Sequence, residues 1–211
     1  MQLADRLIPA MRQAGLLIEA YRQQGFEVRQ KPAGNSSPRS PVTDADEEAE
    51  ALLTAAIRAI EPEATIVGEE ASAAGRQPEA TARFWLIDPL DGTRDYVAGG
   101  DDYSVNIGLV EDGAPALGLV LHPPTATLWA GVAGGGAFAE APGRPRTAIR
   151  CHPLAATPRI VTSRSNLDPR TSAYVASING ASVRPAGSSL KFCLLAEGSA
   201  DLYPRFGPTS E

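Results

Sequence analysis

The sequence contains little of what several classes of protein require. It has two cysteines, Cys151 and Cys193, and no secretion signal, so we expect free buried thiols rather than a disulfide or a metal-binding pair. Apolar runs such as AGLLIEA and ALGLVLH fall far short of the roughly 18 residues that a membrane span needs. The sequence therefore predicts a cytoplasmic protein without a transmembrane segment.

Positive charge is also scarce. The chain carries 19 Lys and Arg against 25 Asp and Glu, a formal net charge of -6, and its only lysines are Lys31 and Lys191. Binding along a nucleic acid polymer depends on many clustered basic side chains, so this composition argues against such a partner. A small anionic substrate held by a few local cations remains compatible with it.

The first part of the chain predicts two helices. Apolar residues recur at helical spacing up to Gly25, and Pro9 should either kink that helix or mark its true start. Residues 31–42 are rich in Pro, Ser and Gly and predict a loop. Thr43 then suits the N-cap of a second helix, with Asp46 as a first-turn acid.

Strands dominate the middle of the chain. The segments ATIVGEE and FWLID predict short buried strands that end in acid, and YSVNIGLV, ALGLVLH and TLWAGVAG predict a meander with a turn at Asp112-Gly113. Beyond them, RIVTS and ADLYPR predict strands, and residues 168–178 and 188–197 predict helices. This order indicates an α+β or α/β fold in two packed halves, residues 1–145 and 146–211.

Two aspartates stand three residues apart in the segment WLIDPLDGTRDY. Their repulsion is costly unless a cation lies between them. Pro89 restricts the backbone so that Asp88, the Leu90 carbonyl and Asp91 can converge, and an all-oxygen set suits Mg²⁺ rather than zinc. The alternative is a surface turn, because Asp, Pro and Gly favour turns in any case.

Neighbouring residues extend this candidate site. Glu69 follows a separate apolar strand and can bring a third carboxylate to the same sheet edge, although by itself it would suit solvent. Gly92 and Thr93 enter a turn or helix whose N–H groups can face an anion. Asp46, by default an ordinary helix acid, can accept a proton from the Thr93 hydroxyl and so help that oxygen take one from water.

Two other chemistries use related motifs. Phosphatases of the haloacid dehalogenase class carry Asp-x-Asp-Gly-Thr and a covalent aspartate nucleophile, but the spacing here is three with a proline between, which disfavours that route. An EF-hand loop is disfavoured because its pattern of Asp ligands and a final Glu is absent.

The segments GEE, WLIDPLDGTRDYV and YSVNIGLV resemble the inositol monophosphatase superfamily, and GSSLKFCLLAEGSADLYPRFGPT resembles its 3′(2′),5′-bisphosphate nucleotidase branch. The resemblance runs from residue 1 to residue 211. It implies a layered αβαβα sandwich, two or three Mg²⁺ ions, and removal of the 3′-phosphate from adenosine 3′,5′-bisphosphate during sulfate assimilation. Its partner would be this small phosphorylated nucleotide, and a homodimer is compatible with it.

The resemblance also implies roles for single residues near the aspartates. Glu69, Asp88 and the Leu90 carbonyl would bind one Mg²⁺, and Asp88 and Asp91 would share the second. A water would attack the phosphorus directly, without a phosphoenzyme. Gly92 and Thr93 are implied to receive the phosphate. Thr93 and Asp46 are implied to orient that water.

A late segment is implied to hold the second phosphate and the sugar through Ser188, Lys191 and Arg205. From the residues alone, this helix is mostly a packing helix and Lys191 a solvated charge, although Gly187 and Ser188 at its start suit an anion. Arg205 favours a substrate with an extra anion over an inositol phosphate.

One motif of the superfamily does not occur in the sequence. The chain ends at Glu211, where a Trp-Asp-x-x-Ala-Gly segment with a ligand of the second metal would follow, so we expect the last helix and strand of the fold to be missing. Two alternatives therefore stand beside the nucleotidase: an inositol or sugar monophosphatase, and a truncated, non-catalytic remnant.

Overall fold

A computed structural model describes residues 1–30, 41–76, 78–79, 81–165 and 167–207. Helix α1 (Gln2–Gln24) contains Pro9 in its interior, so of the two predicted alternatives, a kink at Pro9 or a helix start there, the helix start is excluded. Buried side chains on both sides of the proline, Leu7 and Met11 among them, hold the helix together across it. The predicted loop lies outside the described residues except for Pro41 and Val42, which belong to a short strand.

Helix α2 (Asp44–Ile60) starts after Thr43, as predicted. The antiparallel pair β1 (Val28–Gln30) and β2 (Pro41–Thr43) leads into it. The apolar stripe of α2 is buried at Ala49, Leu53 and Ile57. Together with α1 it covers one face of a large central sheet, which gives the main hydrophobic core.

The central sheet has seven strands in the order β3-β4-β5-β6-β7-β8-β9. β3 and β4 are parallel, β5 to β7 form the predicted antiparallel meander, and β8 and β9, which were not predicted, extend it. Asp112 and Gly113 both have positive φ, of 48° and 76°, as a tight hairpin turn requires. The strands are β3 (Ile66–Gly68), β4 (Arg83–Asp91), β5 (Ser104–Glu111), β6 (Ala114–His122), β7 (Thr127–Val132), β8 (Gly136–Glu140) and β9 (Thr147–Ile149).

A second, parallel pair of strands, β10 (Arg159–Ser163) and β11 (Ser182–Ala186), follows the large sheet. The predicted strand ADLYPR was wrong: within the described residues only Leu202 pairs, in an isolated bridge to Ile160. Pro204 has no N–H to continue a ladder, which explains why the pairing stops. The remaining helices are α3 (Glu69–Ala73), α4 (Thr93–Val97), α5 (Pro169–Ala176) and α6 (Leu190–Ala196).

Helices and a mixed sheet thus build the α+β layers that the sequence predicts. Val161, Ala186 and Ala200 form a small second core, separate from the first. The division into halves 1–145 and 146–211 stays a prediction, and β9 at Thr147–Ile149 belongs to the large sheet. Of the helices that the structure describes, none is long and apolar enough to cross a membrane.

Both cysteines are free, as predicted. Cys193 is buried, and burial raises the pKa of its thiol to about 12. Cys151 is exposed, so the prediction that both thiols are buried was wrong for this residue; it lies after the last strand of the large sheet.

Candidate active site

The first candidate ligands lie on neighbouring strands: Glu69 directly after β3, and Asp88 within β4. In the parallel pair β3 and β4, Gly68 lies opposite Ile87. Glu69 and Asp88 are therefore the next residue in each of these two adjacent segments. Glu69 begins α3 rather than ending a strand. The prediction that these two acids reach one sheet edge is therefore consistent with the register, with a helix in place of the expected strand end.

A bulge in β4 determines where Asp91 lies. Asp88 pairs with Asn106 of β5 and Asp91 with Ser104, so three steps on β4 match two on β5. Side chains alternate between faces in a regular strand, and one extra residue restores the same face after three steps. Asp88 and Asp91 therefore lie on the same face as Asn106 and Ser104, opposite the helix-covered core.

Gly92 turns the chain sharply from β4 into α4. Its φ of 95° lies in the left-handed region, and a Cβ at this position would be 2.6 Å from the backbone oxygen of Asp102. Only glycine meets both conditions without strain. The turn that the sequence predicts after Asp91 is thus present and closely packed.

Thr93 and Asp46 are brought together from distant parts of the chain. Both are buried, and the Thr93 Oγ1 lies 3.3 Å from Asp46 Oδ1 and 2.9 Å from the Leu90 carbonyl oxygen. Asp46 also accepts hydrogen bonds of 2.7 Å from the N–H and the hydroxyl of Thr43. Because a hydroxyl has one hydrogen, Thr93 donates to one acceptor at a time, and the shorter distance is to Leu90.

The late segment contains a buried lysine. Ser188 has a φ of 46°, and α6 starts two residues later, at Leu190, rather than at Ser188. The side chain of Lys191 is folded back, with its Nζ donating to the Ser188 carbonyl, and the residue is 6% exposed. The interpretation of Lys191 as a solvated charge was therefore wrong.

The chain segment that contains Arg205 approaches Lys191 at Tyr203. The Lys191 Nζ is 5.6 Å from the ring centre of Tyr203, two residues before Arg205. Arg205 is half-buried. The following residues are held against α5, because the N–H of Phe206 donates to the hydroxyl of Thr171 at 3.0 Å.

Direct contacts join the late segment to the aspartate-bearing face. The Ser189 Oγ lies 2.8 Å from the Ser104 Oγ and 2.7 Å from the Asn106 Oδ1. Ser104 and Asn106 are the residues that pair with Asp91 and Asp88. The start of α6 therefore packs over the face on which both aspartates lie.

The donor chemistry at this face fits Mg²⁺. Glu69, Asp88 and Asp91 are half-buried, unlike the residues of a solvent-exposed turn. Across the residues that the structure describes, no three His, Cys, Asp or Glu side chains lie close enough together to hold a metal ion by themselves. Mg²⁺ commonly takes one or two carboxylates and fills its shell with water and substrate oxygens, so carboxylate pairs with the Leu90 carbonyl suit it.

Sequence reasoning missed Glu50. Its carboxylate, on a residue 8% exposed, accepts hydrogen bonds from the N–H groups of Glu70 and Ala71, at 2.7 and 2.9 Å. It thereby fixes the first turn of α3, where Glu69 lies. The sequence did contain a signal for the burial of Glu50: it lies one helical turn after Asp46 and next to Ala49, on the buried face of α2.

Comparison with known proteins agrees with this architecture. The model of the inositol monophosphatase family matches residues 2–211. The 3′(2′),5′-bisphosphate nucleotidase CysQ of Salmonella typhimurium is 38% identical over 171 residues, which cover 81% of this chain and 68% of that protein. The chain therefore belongs to the inositol monophosphatase family, in which Mg²⁺ dependence is typical.

Solved structures show the same fold. An IMPase of Thermotoga maritima superposes with a TM-score of 0.76 at 26% identity, covering 96% of this chain and 76% of that one. CysQ from Bacteroides thetaiotaomicron gives a TM-score of 0.74 at 28% identity, covering 99% and 81%. The predicted family and sandwich fold are thus confirmed.

Proposed function

We propose that this chain is a Mg²⁺-dependent phosphomonoesterase that removes the 3′-phosphate of adenosine 3′,5′-bisphosphate, giving AMP and phosphate. The observation that carries the proposal is the packing of the Ser188–Lys191 segment over the face with Asp88 and Asp91. A nucleotide with two phosphates needs two anion-binding regions on one surface. The similarity to CysQ nucleotidases supports the same substrate.

The proposed metal ligands are Glu69, Asp88, the Leu90 carbonyl and Asp91, with Asp88 shared between two ions. Bound Mg²⁺ would neutralise phosphate charge and increase the acidity of a coordinated water. The ligands come from a parallel strand pair and from the bulge, so their spacing depends on β3 and β4.

Thr93 and Asp46 are the proposed pair that orients the attacking water. Rotation of the Thr93 hydroxyl hydrogen moves its hydrogen bond from Leu90 to Asp46, since both oxygens are within reach. The hydroxyl oxygen then accepts a hydrogen bond from the water whose oxygen attacks the phosphorus. As the new P–O bond forms, the water proton would pass to Thr93 and the Thr93 proton to Asp46; the bond to the 3′-oxygen breaks, and the 3′-oxygen takes a proton from solvent. Gly92 and Thr93 hold the phosphate through backbone N–H groups.

Ser188, Lys191 and Arg205 are the proposed contacts to the 5′-phosphate and the sugar. Breaking its bond to the Ser188 carbonyl would let the Lys191 ammonium reach a phosphate without leaving the segment. A small phosphorylated nucleotide suits these few cations better than a nucleic acid polymer does. A cytoplasmic location and a homodimer stay predictions.

An inositol monophosphatase is the second candidate. The observation that favours it is the superposition on the Thermotoga maritima IMPase, whose TM-score of 0.76 is slightly above that of CysQ. A folded remnant that binds Mg²⁺ without turnover is the third. The two enzymes differ in substrate preference, and the remnant differs from both in releasing no phosphate.

Phosphate release from adenosine 3′,5′-bisphosphate and inositol 1-phosphate, with Mg²⁺ or with EDTA, tests the proposal. We expect Mg²⁺-dependent release with preference for the bisphosphate, and a loss of roughly a hundredfold or more in kcat/KM for Asp88→Asn. Asp112→Asn is the matched control, because Asn tolerates the positive φ of that distant turn. Preference for inositol 1-phosphate would contradict the substrate, and full activity of Asp88→Asn would contradict the metal assignment.

A further inference from the structure

One residue outside the predicted site contacts both of its regions. The Asp102 Oδ2 accepts a hydrogen bond of 2.6 Å from the N–H of Gly187, immediately before Ser188. The backbone oxygen of the same residue packs against Gly92, where a Cβ would be 2.6 Å away. Asp102 therefore lies between the turn proposed to hold the scissile phosphate and the segment proposed to hold the second one.

Charged neighbours fix the Asp102 side chain. Arg164, directly after β10, places Nη2 2.7 Å from the Asp102 Oδ2. The N–H of Asp102 donates to the Asp95 Oδ2 at 2.7 Å, and Arg164 is 3.7 Å from the other oxygen of Asp95. The Asp102 side chain is 19% exposed, and that of Arg164 is 46% exposed. Asp102 thus contacts α4 through its backbone N–H, and Arg164 and the segment before α6 through its carboxylate.

The fit around Asp102 leaves no room for adjustment. A Cβ on Gly187 would be 2.6 Å from the Asp102 Cβ and 2.9 Å from its backbone oxygen. Glycines on both sides therefore allow contacts that another residue would prevent. The close approach of the backbones and the hydrogen bond from Gly187 hold the segment before α6 against Asp102.

We propose that Asp102 is a positioning residue that sets the preference for a substrate with two phosphates, by holding the Ser188–Lys191 segment at a fixed distance from Gly92 and Thr93. This inference rests on the proposed function. Asp102 touches no reacting atom in it: its effect passes through Gly187 to the groups that would hold the 5′-phosphate.

The test compares adenosine 3′,5′-bisphosphate with adenosine 3′-monophosphate, which lacks the 5′-phosphate. Asp102→Ala removes a charged acceptor, so KM for the bisphosphate should rise about tenfold while kcat changes little. The kinetic constants for the monophosphate should change by less than about twofold. Asp102→Asn, which keeps an acceptor for Gly187, should recover part of the loss. Asp101→Ala is the control, since Asp101 is 70% exposed and pairs with Arg22 instead.

Equal losses on both substrates, or the same loss in Asp101→Ala, would overturn the inference. If Asp102→Ala does not fold, Arg164→Gln removes the charged partner of Asp102 while leaving its hydrogen bond from Gly187. We then expect a smaller rise in KM, again for the bisphosphate only. Calorimetric titration with adenosine 3′,5′-bisphosphate in EDTA measures the change in binding affinity between the variants without turnover. A wild type that binds but does not hydrolyse it contradicts the proposed function alone, whereas unchanged affinity in Asp102→Ala contradicts the inference alone.

Discussion

The Thr93 hydroxyl illustrates how single contacts define the candidate chemistry. Its two acceptors, Asp46 and Leu90, come from a helix start and from a bulged strand. Asp46 is fully buried and is held by Thr43 through two hydrogen bonds. A carboxylate fixed in this way can accept from Thr93 without reorganising when the proton moves, which favours a role in orienting water.

Replacing Thr93 by Val tests this role at nearly constant volume. We expect kcat/KM for adenosine 3′,5′-bisphosphate to fall roughly a hundredfold or more, since general acid–base assistance contributes on that scale. Thr93→Ser keeps the hydroxyl and should retain most of the activity. Initial rates and Tm measured on the same samples separate lost chemistry from lost folding; equal rates for Val and Ser would show that the hydroxyl has no role.

Some of these residue placements were predictable and others were not. Thr43 and Asp46 form a local capping pattern that is visible in the sequence, and burial of the apolar stripe on α2 follows from its spacing. The burial of Lys191 was not predictable, because it depends on Ser188 adopting a left-handed conformation and on Tyr203 packing nearby.

Among the elements, the short helix α3 depends on a side chain from α2. Five residues cannot form a stable helix alone, so the two hydrogen bonds to Glu50 supply what the helix lacks. A Cβ on Gly68 would be 2.4 Å from the Glu50 carboxyl carbon. The carboxylate thus fits against the strand end only because glycine stands there.

Glu50→Ala should lower the free energy of unfolding by about 1–3 kcal/mol, because it leaves the buried N–H of Glu70 and the partly buried N–H of Ala71 without their acceptor. Glu50→Gln, which keeps one carbonyl oxygen, should lose less. Glu47→Ala is the control on the same helix, where an exposed ion pair with Arg29 contributes little. Urea unfolding measures all three, and an Ala variant as stable as the control would contradict the capping role.

The turn before Leu202 contains an acid that responds to pH. The Asp201 side chain is 1% exposed, and hydrogen bonds from the Arg159 side chain and backbone N–H lower the pKa of this carboxyl from 3.8 to about 2. Because the pKa of this carboxyl is lower in the folded chain than in the unfolded chain, the ionised group stabilises the fold at pH values above 3.8. This stabilisation is lost as the pH falls from 3.8 towards 2. Asp201→Asn should therefore be less stable than wild type at pH 6, with a gap that narrows below pH 4 in urea unfolding. A gap that widens there would contradict this assignment.

The elements show where sequence patterns stop being informative. The meander was predictable, because each strand carries its own apolar pattern and the Asp112-Gly113 turn fixes its hairpin. Strand β11 was not predictable from the sequence, because its residues are mostly exposed and it forms a strand only by pairing with β10. The short helices α3 and α4 also depend on partners distant in the sequence.

For the whole molecule, the proposed metal site connects folding with ligand binding. Glu69 follows β3 and Asp88 lies in β4, so an ion bound by both would connect α3 to β4 and would bind the folded chain only. We expect Mg²⁺ to raise Tm by several degrees, since each kcal/mol corresponds to roughly 2–4 °C in a chain of this size. Differential scanning fluorimetry with Mg²⁺ and with EDTA measures this shift.

Glu69→Gln should reduce the Mg²⁺-dependent part of that shift, and Glu63→Gln, at an exposed position on the loop before β3, should not. An identical Mg²⁺ response in both variants would exclude Glu69 as a ligand. This readout depends on no substrate, so it tests the metal site separately from the reaction.

The bulge in β4 has a consequence for the spacing of the motif itself. In a regular β-strand, two residues separated by an even number of positions lie on the same face, and two separated by an odd number lie on opposite faces. A bulge of one extra residue returns an odd-numbered pair to the same face. Asp88 and Asp91 have an odd separation that Pro89 and Leu90 correct. An Asp-x-Asp pair in a regular strand would need no extra residue, whereas the Asp-Pro-Leu-Asp spacing of this chain requires the interrupted pairing between β4 and β5.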